Sequence, residues 1–421
     1  MEVDLEHLRK PCTCGRAHEI SVRGIWIESG ASGRLYEMLT EGELREFTAP
    51  VIVWDDNTSE AAEKILGDVS EICQEICLSA GNLRADSRSV EILEETLPEE
   101  TDLILAVGGG TIHDLSRYVA AQRRIPFLSV PTAASMDGFL STTADLSQDG
   151  MKKRVPARAP LYVFADTDIF SKAPYRLTAA GISDLLGKYI CLADWRIAHA
   201  VTGEYICEEI CSLEYKAVKD VVKRLDDIRE GDAEACERLM YALLLSGLAM
   251  QMAGGPRPAF CAEHHLSCLW EMEVINESTD ALHGEQVGVG LLLAEKYYRR
   301  IQKAIENGRC EIRRHEGLEK ELLQTTFGSH GLYEAVMDEN TPDPLDEVDP
   351  ERLRRAFLEI AEILDDIPSR ERLMDMMEEG GCRVSLSEIG LPESLEEESL
   401  ALAPYVGRQM SLLRLGKLLV I

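Results

Sequence analysis

The sequence has no apolar run approaching the ~20 residues that a membrane-spanning helix requires. Its first ten residues, MEVDLEHLRK, are acidic and mixed and lack the apolar core of a signal peptide, so a cytoplasmic protein is expected. Basic charge is scarce: 44 Lys and Arg stand against 75 Asp and Glu, for a net charge of -31. That balance excludes an extended nucleic-acid surface. It also offers no long-range attraction to an anionic substrate, so a phosphate would have to be held by a helix N-terminus, a metal or a few local side chains. Internal repeats, low-complexity tracts and the G-x-G-x-x-G dinucleotide fingerprint are missing as well. The 12 cysteines are scattered, and several fall at helical spacing (Cys73 with Cys77, Cys207 with Cys211). Without a secretory signal they are expected to be reduced and mostly core-packed.

What remains is a chain of 421 residues with 45% hydrophobic content, enough for two domains with separate cores. Short apolar runs alternate with helical stretches in the first part. Residues 51–54 (VIVW), 103–107 (LILAV), 125–130 and 161–165 (LYVFA) read as buried strands. Helices are expected from 59 to 66, with Ser59 as N-cap, and from 112 to 122. Strands separated by helices indicate a parallel sheet with crossover connections. Beyond about residue 173 the pattern is helical, with segments at 183–200, 204–227, 233–252, 261–274, 287–308, 351–364 and 404–418. The acidic stretch 338–350 carries three prolines and reads as an exposed loop. The expectation is therefore an α/β domain over 1–172 and an all-α domain over 173–421.

Gly108, Gly109, Gly110 and Thr111 follow the second strong strand and open a helix. Glycines there let a phosphate approach the backbone at a positive helix end; a plain tight turn is the competing reading. Asp114 lies one turn further on, either at that site or as a surface acid. Asp55 and Asp56 end the first strong strand, where an acid can bind ribose hydroxyls or merely form a turn. In the helical half Asp184, His264 and His283 offer one carboxylate and two imidazoles. Such a set suits Zn²⁺, Ni²⁺ or Fe²⁺ with open positions, unless they are a capping acid and two polar histidines. A metal of this kind would polarise a carbonyl while a nicotinamide delivers hydride. The cofactor would then lie on the α/β domain and the metal on the helical one, with the reaction in the cleft between them.

The runs GGGTIHDLSRYVA, IPFLSVPTAASMDGFLS, ADTDIFSKAPYRLTAAGISDLLGKY, AEHHLSCLWEM and LHGEQVGVG together resemble the sn-glycerol-1-phosphate dehydrogenases. These belong to the dehydroquinate synthase, glycerol dehydrogenase and iron-containing alcohol dehydrogenase superfamily. The likeness runs in order over about 51–298. It implies a Rossmann-like cofactor domain followed by a helical domain bearing metal and substrate. It also implies NAD(H) or NADP(H), one divalent metal (Zn²⁺ or Ni²⁺, with Fe²⁺ an option), a small phosphorylated substrate and a homodimer or larger homo-oligomer. Position by position, Gly109, Gly110, Thr111 and Asp114 match the pyrophosphate loop. Thr132, Ser135 and Ser141 match contacts near the nicotinamide, and Asp137 matches the acid at the substrate hydroxyls. Asp184, His264 and His283 match the metal ligands. The reaction implied is the interconversion of dihydroxyacetone phosphate and sn-glycerol 1-phosphate.

The chain departs from the pattern in places. Cys268 stands where the family commonly has a substrate-facing histidine, and a thiol cannot replace imidazole acid–base chemistry at neutral pH. His265 is its neighbour but points about 100° away on a helix. His113 and Cys261 replace residues that are usually small. Lys152, Lys153 and Arg154 form a basic cluster, read either as a phosphate site or as a solvated loop, and Arg257 is a second phosphate candidate. Cys12, Cys14 and His18 (CTCGRAH) form a compact cluster that reads more readily as a turn than as a second metal site. A polyol dehydrogenase is the alternative within the class. Sugar-phosphate cyclases, which are lyases, share the superfold but typically carry glutamate where Asp184 stands. A catalytically altered relative is the third reading. Asp55 and Asp56 favour NADH, because an acid repels a 2′-phosphate.

Overall fold

Six consecutive buried residues make Leu103–Gly108 a strand covered on both faces. The computed structural model describes residues 3–421. In it the ten strands are β1 (Gly24–Glu28), β2 (Pro50–Asp55), β3 (Gln74–Leu78), β4 (Leu103–Gly108), β5 (Phe127–Pro131), β6 (Thr143–Gln148), β7 (Met151–Pro156), β8 (Tyr162–Asp166), β9 (Glu311–Ile312) and β10 (Leu419–Val420). Six of them form one parallel sheet in the order β1-β8-β5-β4-β2-β3. Alternation along β4 divides the core between the two faces. Leu103, Leu105 and Val107 join one apolar cluster with Ile52 and Leu128, while Ile104 and Ala106 join another with Val53, Ile112 and Leu115. The edge strands β1 and β3 were not expected, because each is short and only partly buried. β6 and β7 pair separately as a two-stranded ribbon.

The strand order reverses between β2 and β4, which pair in register from Pro50 with Leu103 to Val53 with Ala106. The carboxyl ends of strands at such a reversal are where open parallel sheets bind ligands. Asp55 and Asp56, Gly109, and the loop after β5 all lie at that edge. Ser59 is the first residue of its helix, Ser59–Val69, and not its N-cap. A 3-10 turn, Asp56–Thr58, precedes the helix, and Asp55 caps that turn.

Contacts group the chain into two units. The first comprises Met1–Asp149, Lys153–Gly181 and Lys223–Gly255; the second comprises Gly150–Lys152, Ile182–Val222 and Pro256–Ile421. The expected division at 172/173 and this grouping differ at 173–181 and Lys223–Gly255, which group with the sheet, and at Gly150–Lys152, which groups with the second unit. In the first unit, the helix Ala233–Ala253 holds Gln251, whose side chain donates to the Leu140 carbonyl at 2.6 Å and accepts from the Ser21 amide at 2.9 Å.

The second unit is mainly helical, its strand residues being the antiparallel pair β9 and β10 and the first two residues of β7. The segment expected at 183–200 is two helices, Tyr175–Leu186 and Lys188–Thr202, separated at Gly187. The segment at 204–227 is likewise two, Glu208–Val222 and Leu225–Arg229. The helix of 261–274 is Ala262–Glu271, and that of 287–308 begins earlier, as His283–Glu306. No single helix spans 404–418: short turns at Ala403–Tyr405, Leu412–Leu415 and Gly416–Leu418 take its place. The stretch 338–350 is not wholly exposed either. Asn340 is buried and donates to the Tyr405 carbonyl at 2.7 Å, and Leu345 is buried in the 3-10 turn Pro344–Glu347. Among the described residues, no helix is long and apolar enough to cross a membrane.

Candidate active site

Asp184 lies on the last turn of Tyr175–Leu186, His264 in the first turn of Ala262–Glu271, and His283 opens His283–Glu306. One carboxylate oxygen and one nitrogen of each imidazole lie within 4.8 Å of one another. Asp184 Oδ1 is 3.4 Å from His264 Nε2, and the two imidazole centroids are 5.3 Å apart. Small residues allow this approach. A Cβ on Gly290 would meet the Glu263 carbonyl oxygen at 2.6 Å, and one on Gly187 would meet Val287 Cγ1 at 3.0 Å. The helices carrying the two histidines therefore pack at close range.

Each imidazole is oriented by a carboxylate absent from the expected set. His264 Nδ1 donates to Glu263 Oε1 at 2.8 Å, and His283 Nδ1 donates to Glu271 Oε1 at 2.6 Å. Such partners fix the tautomer and aim the opposite nitrogen at a metal. Glu271 also pairs with Lys152 at 2.6 Å. Burial opposes the charge of Asp184 and Glu271, yet both are held below the usual carboxylate range. Lys188 does this for Asp184, together with His264, and Lys152 and His283 do it for Glu271. Burial likewise opposes the charge of His264, but Asp184 and Glu263 lift its pKa to about 9. Cys268 is buried one turn beyond His264 on the same helix. His265 faces elsewhere: its Nε2 meets Gln409 Oε1 at 3.2 Å, and burial lowers its pKa to about 3.

In the sheet unit, Gly109 precedes the helix Gly110–Arg123 in extended conformation, with no side chain capping the helix. Nothing stands within 4 Å of a Cβ placed there, so the backbone face is open. Gly110 and Thr111 begin the helix, and Asp114 Oδ1 is 3.8 Å from Arg117 Nε. The buried Arg117 donates to the carbonyls of Phe139 at 3.1 Å and Thr143 at 3.0 Å, which fixes the loop after β5. That loop carries Thr132, Ser135, Asp137 and Ser141. The Thr132 amide donates to Gly108 O, and Ser141 Oγ accepts from the Thr143 amide at 3.0 Å. Asp137 is buried and accepts from Ser246 Oγ at 2.8 Å. Asp55 is buried and caps the turn through Asn57 N at 2.8 Å, whereas Asp56 is exposed and accepts from Cys77 Sγ at 3.2 Å and the Ala80 amide at 3.3 Å. His113 is buried against the same loop, with Nδ1 donating to Gly109 O and Nε2 accepting from Ser129 Oγ.

The basic cluster does not converge. Arg154 is bound through two nitrogens to Asp145, Lys152 pairs with Glu271, and Lys153 is exposed on the other side of β7. Arg257 is buried, held by Glu204 at 2.7 Å and by the Met410 carbonyl at 2.6 Å, so it braces the fold.

One unit holds a carboxylate and two carboxylate-supported imidazoles and the other an open glycine turn at a sheet reversal, the features expected of a metal-assisted nicotinamide dehydrogenase. Residues 26–174 match the iron-containing alcohol dehydrogenase family. The chain is 36% identical to the glycerol-1-phosphate dehydrogenase (NAD(P)+) of Geobacillus stearothermophilus, covering 93% of this chain and 92% of that protein. It is 34% identical to the enzyme of the same name from Geobacillus thermodenitrificans, over 93% and 91%. In fold it resembles maleylacetate reductase from Agrobacterium tumefaciens, with TM-score 0.61 at 13% identity over 94% of this chain and 91% of that one. The chain belongs to the glycerol-1-phosphate dehydrogenase family.

Proposed function

We propose that this enzyme interconverts dihydroxyacetone phosphate and sn-glycerol 1-phosphate with NAD(P)H, and that Asp184, His264 and His283 hold its divalent metal. The observation that carries the reading is the meeting of three ligand side chains with a carboxylate behind each imidazole. The donor set fits such an ion, since the carboxylate is held charged and both histidines present a nitrogen inward. Bound there, a divalent ion supplies a Lewis acid that stabilises charge developing on a carbonyl oxygen.

The chain's own residues do the rest. The Gly109–Gly110–Thr111 turn offers uncapped amides to the cofactor pyrophosphate, and Asp56 is placed at the neighbouring strand end for the ribose. Asp137, immobilised by Ser246, accepts hydrogen bonds from substrate hydroxyls and serves the proton relay. Cys268, one turn beyond His264 on the same helix, puts a small, weakly polar group where the family commonly has a histidine. The sulfur-free ligand set accommodates Zn²⁺, Ni²⁺ or Fe²⁺.

The test is NADH oxidation by metal-stripped protein, with and without Zn²⁺ or Ni²⁺, on dihydroxyacetone phosphate and on dihydroxyacetone. Metal-dependent turnover of the phosphate ester is expected. Turnover of the unphosphorylated ketone alone would move the enzyme to the polyol branch.

A further inference from the structure

The segment before β1 carries Cys12, Cys14 and His18, which the reaction above does not use. The structure shows what the C-x-C-G turn does. The Gly15 amide donates to the Cys12 carbonyl at 3.2 Å, and Gly15 takes φ +79°, a conformation that glycine adopts without strain. This folds both sulfurs toward the His18 imidazole. Cys14 Sγ is 3.6 Å from His18 Nε2, and one ligand atom from each of the three residues lies within 4.8 Å of the others. A tetrahedral ion with metal–sulfur bonds of about 2.3 Å holds its ligands about 3.7 Å apart, so a slight contraction completes the arrangement.

Two further contacts prepare these atoms. His18 is buried, and its Nδ1 lies 2.6 Å from the Met252 carbonyl oxygen. A carbonyl only accepts, so Nδ1 carries the hydrogen and Nε2 turns its lone pair toward Cys14. This is the support usually seen behind a metal-bound imidazole. The Cys14 amide also donates to Cys12 Sγ at 3.5 Å, which holds that sulfur inside the turn.

We propose that Cys12, Cys14 and His18 form a structural zinc site, separate from the Asp184–His264–His283 set. Two thiolates and one imidazole provide three ligands, and a further thiolate or a water completes the tetrahedron. The soft donors select Zn²⁺. Binding releases the two thiol protons to solvent and changes no oxidation state. The ion ties the segment before β1 to the C-terminal end of the helix Ala233–Ala253, where Met252 lies.

The test uses the full chain and does not depend on turnover, so it stands apart from the dehydrogenase reading. The Asp184–His264–His283 set has no sulfur, so a sulfur-to-cobalt charge-transfer band in Co²⁺-loaded protein reports only the cysteine site. Two metal equivalents per chain and a strong near-ultraviolet band are expected. His283→Ala should keep the band, and Cys14→Ser should lose both the band and one equivalent. If Cys14→Ser does not fold, an organomercurial titration of the wild-type protein should release one equivalent of zinc as the thiols react. A wild-type protein with one equivalent and no band overturns the proposal. So does a band that persists in folded Cys12→Ser and Cys14→Ser.

Discussion

Glu271 bridges Lys152 and His283, so removing its carboxylate would loosen a proposed metal ligand without deleting it. Glu271→Ala is expected to weaken metal affinity by about 10- to 100-fold, with most of the rate restored at saturating metal. Competition with a chelator of known affinity measures the first effect; affinity within twofold of wild type would refute the positioning role. His264 predicts a pH dependence. With its pKa lifted to about 9 in the metal-free protein, it carries a proton at pH 7 that an incoming ion must displace. Affinity should therefore fall by roughly tenfold per unit as pH drops below about 9. Calorimetry in buffers of different ionisation enthalpy counts the released proton, and a pH-independent affinity from 6 to 9 would sink the idea. The convergence of Asp184, His264 and His283 was legible in the sequence because their flanking motifs resemble a family. Glu263 and Glu271 were not, since acids are common on helices. Their signal was available in the spacing: Glu263 adjoins His264, and Glu271 lies seven residues on, two turns along the same face.

Packing between helices sets how closely the ligands converge. Alanine normally favours a helix over glycine by about 1 kcal/mol, so Gly290→Ala would ordinarily stabilise His283–Glu306. Here the added methyl would stand 2.6 Å from the Glu263 carbonyl oxygen, a backbone atom that cannot rotate away. We expect a net loss of about 1–3 kcal/mol and weaker metal binding as the helices carrying His264 and His283 separate. A lowered Tm together with reduced chelator resistance checks this; a raised Tm would show that the gap closes without cost. Elements buried on both faces were the readable ones: β2, β4 and β8 announce themselves as apolar runs, and β5 is interrupted only by Ser129. Edge strands β1 and β3 alternate over five residues and leave little pattern to detect. The break at Gly187 was also hidden, because both flanking helices are apolar. The expected helix over 404–418 failed because its apolar residues pack as successive short turns.

Two properties of the whole chain govern its response to solution conditions. Burial holds His113 of the sheet unit and His265 of the helical unit neutral, each with a pKa near about 3. Their unfolded-state pKa is about 6.5, so below that value the unfolded chain binds protons that the folded chain refuses. Their contribution is complete above pH 6.5 and is lost as pH falls toward 3, at up to about 1.4 kcal/mol per pH unit for each histidine. Denaturant melts from pH 7 to pH 5 should show this decline. His113→Leu should flatten it, even though the change costs stability at pH 7 by leaving Ser129 without its partner. The net charge of -31 acts over longer distances. A phosphorylated substrate approaches against this field, which reaches about 30 Å at 0.01 M salt and about 10 Å at 0.1 M. Raising ionic strength across that range should increase kcat/KM for dihydroxyacetone phosphate at saturating NADH, the reverse of ordinary electrostatic steering. Sucrose at matched osmolality, which does not screen charge, should produce no such rise. A fall with salt would instead mean that a local positive cradle dominates the approach. Exposed Lys153 would then be the first residue to neutralise, since Lys152 and Arg154 are already paired with Glu271 and Asp145.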